Sequence, residues 1–81
     1  MNEPTDFPLR GDHITLDALL KASGLAGSGG AAKQLIAGGG VSVNGQAETR
    51  RGRKLRAGDL VVLGNQRMRV SAPAAGPDAS G

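Results

Sequence analysis

Five cationic side chains lie within seven consecutive positions, and this cluster is the strongest chemical signal in the chain. They are Arg50, Arg51, Arg53, Lys54 and Arg56, with no acidic residue among them. Guanidinium groups form bidentate hydrogen bonds with phosphate, and a lysine ammonium adds a compact positive charge. We therefore expect the cluster to contact a polyanion, most often a nucleic acid. The alternative interpretation is a solvated loop that only maintains solubility.

A glycine-rich stretch, Gly27-Ser28-Gly29-Gly30, is the second candidate. It is predicted to begin a helix, where free N–H groups and the helix dipole favour an anion and glycine permits close approach. A nucleotide-binding P-loop is excluded, because that motif needs a Lys-Ser/Thr pair and a preceding strand. One RNA phosphate could dock here, and an ordinary serine cap is the alternative. Lys33, on the outward side of the same helix, and Lys21, on the preceding helix, are further candidate cations.

Catalytic and metal-binding arrangements are missing from the sequence. There is no cysteine, and a single histidine, His13, excludes a histidine-based metal cluster or relay. Glu48 is expected to pair with the neighbouring Arg50 and Arg51, and Asp59 to bond the backbone of its own turn. We therefore predict a non-enzymatic protein with no cofactor and no metal site.

Size and composition favour a small binding module. The 81 residues suffice for one domain; 38% are apolar, and Phe7 is the sole aromatic. No apolar run is long enough to span a membrane, and the N-terminal residues do not resemble a secretory signal. Residues 13–70 hold nine basic residues against three acidic ones, so this part is more basic than the net charge of +3 suggests. We expect a cytoplasmic monomer that binds a polyanion by phosphate contacts and shape rather than by aromatic stacking.

Two short helices are predicted in the first half. The first should span about Leu16 to Ala22, capped by Thr15, because three leucines recur at helical spacing on one face. Gly24 suits the left-handed position that follows it. The second helix should span about Gly29 to Gly38, capped by Ser28.

The second half of the chain is predicted to form β-strands. Val41-Ser42-Val43 and Gln46-Ala47 flank Asn44-Gly45, the strongest short hairpin signal. Residues 60–63 form a continuous apolar strand, and residues 66–70 return with alternating apolar and basic side chains. The fold class is therefore α+β: two short packed N-terminal helices followed by a small antiparallel sheet of hairpins. A short N-terminal edge strand is expected near residues 7–9, because Pro8 demands an edge.

Several of these motifs occur together in a known family. The chain reads L-D-A-L-L-K, then S-G-G-A-A-K-Q-L-I, then G-G-V-S-V-N-G, and finally E-T-R-R-G-R-K-L-R-A-G-D. This pattern, from about Leu16 to Val70, resembles the RNA-binding domain named after small-subunit ribosomal protein S-four, the alpha-L motif. It is most similar to the small stand-alone bacterial members, in which the domain is nearly the whole protein.

The resemblance implies a non-catalytic protein that binds structured RNA, commonly ribosomal or transfer RNA. Composition predicts a mostly flexible segment at residues 1–12 and a disordered tail at residues 71–81, and the RNA-binding domain is expected at residues 13–70 between them. Most of the family has an arginine where this chain has Gly29, so one phosphate contact is lost. The predicted RNA-binding residues are Ser28, Gly29, Lys33, Asn44, Arg50, Arg51, Arg53, Lys54 and Arg56.

A second hypothesis comes from a different class of function. The chain could be a protein-interaction adaptor whose basic cluster meets an acidic partner. The apolar strand at residues 60–63 would then offer an edge for strand pairing. A third hypothesis, that the chain binds a membrane surface, has less support, because no amphipathic helix carries the cations.

Overall fold

The computed structural model describes residues 4–73. Residues 1–3 of the predicted flexible segment and residues 74–81 of the predicted tail lie outside the described residues. The chain forms two helices and seven strands within these limits. In chain order they are β1 (Thr5–Pro8), β2 (Ile14–Thr15), α1 (Leu16–Ala22), α2 (Gly29–Ala37), β3 (Val41–Val43), β4 (Gln46–Ala47), β5 (Lys54–Leu55), β6 (Leu60–Leu63) and β7 (Gln66–Ser71).

Helix α1 forms because its leucines fall on one face. Leu16, Leu19 and Leu20 are all fully buried. Thr15 occupies the N-cap position, but the prediction that it caps the helix is wrong. Its hydroxyl donates to an Asp17 carboxylate oxygen at 2.7 Å and makes no cap hydrogen bond. The N–H groups of Leu16 and Asp17 donate to the basic cluster described below, and the Ala18 N–H donates to an Asp17 carboxylate oxygen at 2.8 Å.

Helix α2 begins and ends as its sequence dictates. The Ser28 hydroxyl accepts a hydrogen bond from the backbone N–H of Ala31 at 3.1 Å, which satisfies one free donor of the first turn. Ala32 and Ile36 are fully buried, and Leu35 packs against the core from a half-buried position. Gly38 is the C-cap, so the helix ends one residue earlier than the sequence suggested.

The main sheet has five strands in the order β1-β7-β6-β3-β4. Three of its four pairings are antiparallel, but β1 lies parallel to β7. The expectation of a purely antiparallel sheet of hairpins is therefore wrong at this edge. The first and last strands are joined by all the intervening structure, so their pairing is not restricted to the antiparallel geometry of a hairpin. The sheet is mixed, and the edge strand lies at Thr5–Pro8 rather than near residues 7–9.

Strand β6 lies in the interior of the main sheet. It pairs with β7 on one side and with β3 on the other. The prediction that this apolar strand offers a free edge to a protein partner is therefore wrong. Of its four apolar residues, Val61 is buried and the other three are half-buried.

The core lies between the two helices and one face of the sheet. Within residues 4–73 it contains thirteen buried apolar residues, which come from both helices, the strands and their connections. On β7, Met68 and Val70 are buried while Arg67 and Arg69 are exposed, which confirms the predicted alternation. The two arginines consequently lie on the sheet face away from the core.

Candidate nucleic-acid interface

The five-cation cluster forms an ordered structure against helix α1. We call residues 50–56 the basic segment. The backbone N–H of Leu16 donates to the Arg53 carbonyl at 2.9 Å, and that of Asp17 donates to the Arg51 carbonyl at 3.1 Å. The basic segment thus supplies acceptors for two N–H groups at the start of the helix. Its backbone is fixed by the helix that it caps.

A short antiparallel ladder also anchors the basic segment. Strand β5 pairs with β2, so that Leu55 lies opposite Ile14 and Lys54 opposite Thr15. Leu55 is fully buried, while Lys54 is exposed. Side chains alternate across a strand, so one apolar residue inserted into the core turns its cationic neighbour to the solvent.

Glu48 balances part of the charge. This buried carboxylate accepts from the Arg53 guanidinium at 2.7 Å and from the Arg50 Nε at 3.1 Å. It also accepts from the Arg50 backbone N–H at 3.0 Å. The sequence predicted pairing with Arg50 and Arg51, and the second partner is instead Arg53. The turn closed by the Arg53 N–H and the Arg50 carbonyl, 3.2 Å apart, brings residues 50 and 53 together.

The same contacts hold the Glu48 carboxyl in its charged form. Hydrogen bonds from the Arg50 side chain, then from its backbone, and then from the Arg53 side chain lower the pKa of Glu48 to about 2. The Glu48 carboxyl is therefore ionised at neutral pH. It offsets one of the five positive charges and fixes two of the guanidinium groups in place.

The remaining cations point outward. Arg51, Lys54 and Arg56 are exposed, and within residues 4–73 none of them forms an ion pair. Arg50 keeps 75% of its side chain exposed despite its pairing, whereas Arg53 keeps 35%. A shallow open depression runs over this surface, lined by Arg50, Gly52, Arg53 and Lys54. Multivalent anions with spaced charges, such as a phosphodiester backbone, match this surface.

The start of helix α2 carries a second group of predicted residues. Ser28, Gly29 and Lys33 are all exposed. A Cβ atom added at Gly29 would lie 4.0 Å from the Lys21 side chain, so this lysine extends along the first turn of α2. From sequence alone, Lys21 is a weak candidate because it belongs to the other helix. Only the packing of α1 against α2 reveals its position.

Asn44 occupies a different environment from the other predicted residues. Its side-chain N–H donates to an Asp59 carboxylate oxygen at 3.0 Å, and its side-chain oxygen accepts from the Leu60 N–H at 3.0 Å. Its φ of 53° is the left-handed conformation that a hairpin turn requires. Asp59 also accepts from the Arg56 N–H at 2.9 Å, as expected for a residue that bonds its own turn. The Asn44 amide therefore ties the β3–β4 turn to the end of the basic segment.

Other site types find little support in residues 4–73. No three histidine or acidic side chains in this range come together as a cation site. Neither helix has the length and apolar character needed to cross a bilayer.

Comparison with known proteins agrees with this architecture. The S4 domain family model matches residues 7–71, and the chain belongs to this family. A solved relative is YbcJ from E. coli, whose solution structure is described as revealing an alpha-L motif involved in RNA binding. The two chains are 38% identical, and the match covers 89% of this chain and 92% of YbcJ with a TM-score of 0.67. No curated protein matches the sequence.

Proposed function

We propose that the chain is a non-catalytic RNA-binding protein that recognises structured RNA, ribosomal or transfer RNA, as a monomer. The observation that carries the proposal is the basic segment: a cationic surface whose backbone is fixed against α1 while Arg51, Lys54 and Arg56 stay exposed. The S4 family membership and the description of YbcJ support the same class of partner.

A fixed backbone matters because it lowers the cost of binding. Long cationic side chains on a mobile loop lose conformational freedom when they meet a ligand. Here, two helix N–H groups and the β2–β5 ladder hold the segment before any ligand arrives. Such a surface selects RNA whose phosphates already have the matching arrangement, which favours folded RNA over a flexible strand.

The cations divide into two roles. Arg51, Lys54 and Arg56 contact phosphates directly, and the exposed part of Arg50 adds to them. Arg53 holds the segment through Glu48 and contributes less to binding. A second contact is formed at the start of α2 by Ser28, Gly29 and Lys33, where Lys21 compensates for the missing family arginine.

The test is a salt titration of binding to a fluorescently labelled RNA hairpin. The variant Arg51→Gln with Lys54→Gln is compared with Arg67→Gln with Arg69→Gln, which removes the same charge from the outward face of the sheet. If each changed residue of the basic segment contacts one phosphate, the slope of log K against log[salt] becomes shallower by about 1.4. The sheet variant should keep the slope of the unmodified protein.

Two outcomes would contradict the proposal. Equal losses in both variants would indicate attraction by overall charge alone. Recovery from cells of a nuclease-resistant protein partner with no enriched RNA would instead favour the adaptor function. Thermal unfolding of each variant confirms that the binding comparison concerns folded protein.

A further inference from the structure

A pocket that includes Ile14 of the β2–β5 ladder has no role in the function proposed above. It is a cavity of about 420 Å³ between β1 and the outer side of α1. Its lining residues are Phe7, Arg10, His13, Ile14, Ala18 and Ala22. The volume lies within the range of small-ligand sites.

The walls of this pocket suit a flat, partly apolar group. Phe7, the only aromatic residue of the chain, is half-buried and packs against the core. Ala18 and Ala22 lie one helical turn apart on α1, and their small side chains leave room opposite the ring. A nucleobase stacks favourably on an aromatic ring whatever its identity, because every base has a π-face.

The rim of the pocket carries hydrogen-bonding groups. His13 Nδ1 lies 2.8 Å from an Asp12 carboxylate oxygen. An ionised carboxylate only accepts hydrogen bonds, and the His13 contact lowers the pKa of Asp12, so Nδ1 carries the proton. The Nε2 atom of His13 is left to interact with a ligand. Arg10 is exposed beside it and offers donors to a base edge or a phosphate.

The pocket is continuous with the basic segment. Ile14, one of its walls, pairs with Leu55 across the β2–β5 ladder. In this antiparallel register, Arg56 follows Leu55 and His13 precedes Ile14, so both residues lie at the same end of the ladder. An RNA strand that follows the basic segment past Arg56 would therefore run towards His13 at the rim of the pocket.

We propose that this pocket receives one unpaired nucleobase of the RNA bound along the basic segment, an inference that rests on the proposed function. The base stacks on Phe7, and Arg10 and His13 bind its edge or its phosphate. A lone aromatic cannot build a stacking platform for a single strand, but it can hold one base of a loop or bulge. Two of the lining residues, Arg10 and His13, are basic, and the Asp12 carboxylate on the rim is already paired with His13, so this side of the pocket favours a group that carries a phosphate.

Photo-crosslinking locates the base directly. The probe is an RNA hairpin with 5-iodouridine in its loop, irradiated in complex with the full chain and mapped by mass spectrometry. Phe7 is the only phenylalanine of the chain and His13 is its only histidine, and both line the pocket. We expect the crosslink within residues 7–13. Crosslinks found only in the basic segment or in α2 would overturn the proposal.

Affinity for two probes gives an independent measurement. The hairpin is compared with a blunt duplex of the same stem, which has no unpaired base. Phe7→Leu keeps an apolar side chain at this position, and Arg10→Gln removes a rim donor. Phe7→Leu should lower the preference for the hairpin about fivefold or more, because one stacked base contributes on the order of tenfold in affinity. Arg10→Gln should lower the same preference, because it removes a charged hydrogen-bond donor from the rim. Arg67→Gln, on the opposite face of the sheet, is the control and should leave the preference unchanged.

The outcomes separate this inference from the function on which it rests. If Arg51→Gln with Lys54→Gln weakens binding to both probes but the pocket variants keep the preference, the pocket proposal fails and the RNA-binding proposal stands. If that basic-segment variant has no effect on either probe, the RNA-binding proposal itself fails. If the pocket variants instead fail to recover a protein partner from cells while their preference for the hairpin is intact, the pocket binds a peptide side chain. That result would overturn its assignment to a base.

Discussion

Arg53 contacts helix α1 and Glu48 at the same time. Its guanidinium donates to the Glu48 carboxylate at 2.7 Å, and its carbonyl accepts from the Leu16 N–H at 2.9 Å. One residue therefore links the side-chain ion pair to the backbone cap of the helix. Because of this link, we expect the charge of the buried Glu48 to affect the order of the exposed basic segment.

Replacing Glu48 tests this link. Glu48→Gln keeps the shape of the side chain but removes the charge that binds Arg50 and Arg53. We expect a lower unfolding temperature and faster hydrogen exchange at the N–H of Leu16, whose acceptor is the Arg53 carbonyl. Exchange at the Ala31 N–H, which is capped by Ser28, should change less in the same variant. Uniform acceleration throughout the domain would contradict a local role for Glu48.

The same carboxylate predicts a dependence of stability on pH. The pKa of Glu48 is about 2 in the folded chain, below its ordinary value of 4.5, so folding favours the ionised form. This contribution is fully present above about pH 4.5 and is lost as the pH falls towards 2. Urea unfolding of the parent and of Glu48→Gln should therefore give curves that converge in this interval. A difference that stays constant from pH 7 to pH 2 would show that the charge of Glu48 contributes nothing.

The anchoring of β5 gives a prediction about stability. Leu55 is fully buried beside an exposed lysine. Leu55→Ala removes buried methyl groups and leaves a cavity, with an expected cost of about 2–5 kcal/mol in the free energy of unfolding. Lys54→Ala is the matched control, because it alters the adjacent residue of the same strand without touching the core. Denaturant titration separates the two, and similar small losses would show that β5 is not anchored in the core.

The hydrogen bond between Asn44 and Asp59 predicts that a second carboxylate at position 44 lowers the stability of the fold. Asn44→Asp replaces the amide donor by a second carboxylate, about 3.0 Å from that of Asp59. The lost hydrogen bond and the repulsion should cost about 1–3 kcal/mol. Adding Asp59→Asn to that variant restores a donor facing an acceptor and should recover most of the loss. A double variant as unstable as the sum of the two single ones would show that the two side chains do not interact.

Local patterns predicted the helices and the β3–β4 turn because their determinants lie close together in sequence. The leucine spacing of α1, the Ser28 cap and Asn44-Gly45 each act over a few residues. The parallel pairing of Phe7 with Val70, by contrast, has no local signal. It depends on how the intervening structure positions the two ends of the domain relative to each other.

The position of the basic segment could be predicted from the sequence, but the contacts of its side chains could not. Composition located the basic segment, but it did not indicate that a turn would bring Arg53 to Glu48 in place of Arg51. Nor could it show that Lys21 extends along Gly29 of the other helix. Both relationships arise from packing, which the order of residues along the chain does not display. The RNA contacts of the nine predicted residues therefore remain predictions.

Gly29 offers a gain-of-function test of the α2 contact. The resemblance to the family implies an arginine at this position, and within residues 4–73 a Cβ atom added there would meet the Lys21 side chain at an ordinary 4.0 Å. Gly29→Arg should therefore fit without strain and place a guanidinium beside the free N–H groups of the helix. If it contacts one phosphate, RNA affinity rises and the slope of log K against log[salt] becomes steeper by about 0.7. Gly29→Ala controls for the conformational effect of removing glycine and should leave the slope unchanged. An arginine variant that binds no better than the alanine variant would show that the start of α2 does not face the RNA in this protein.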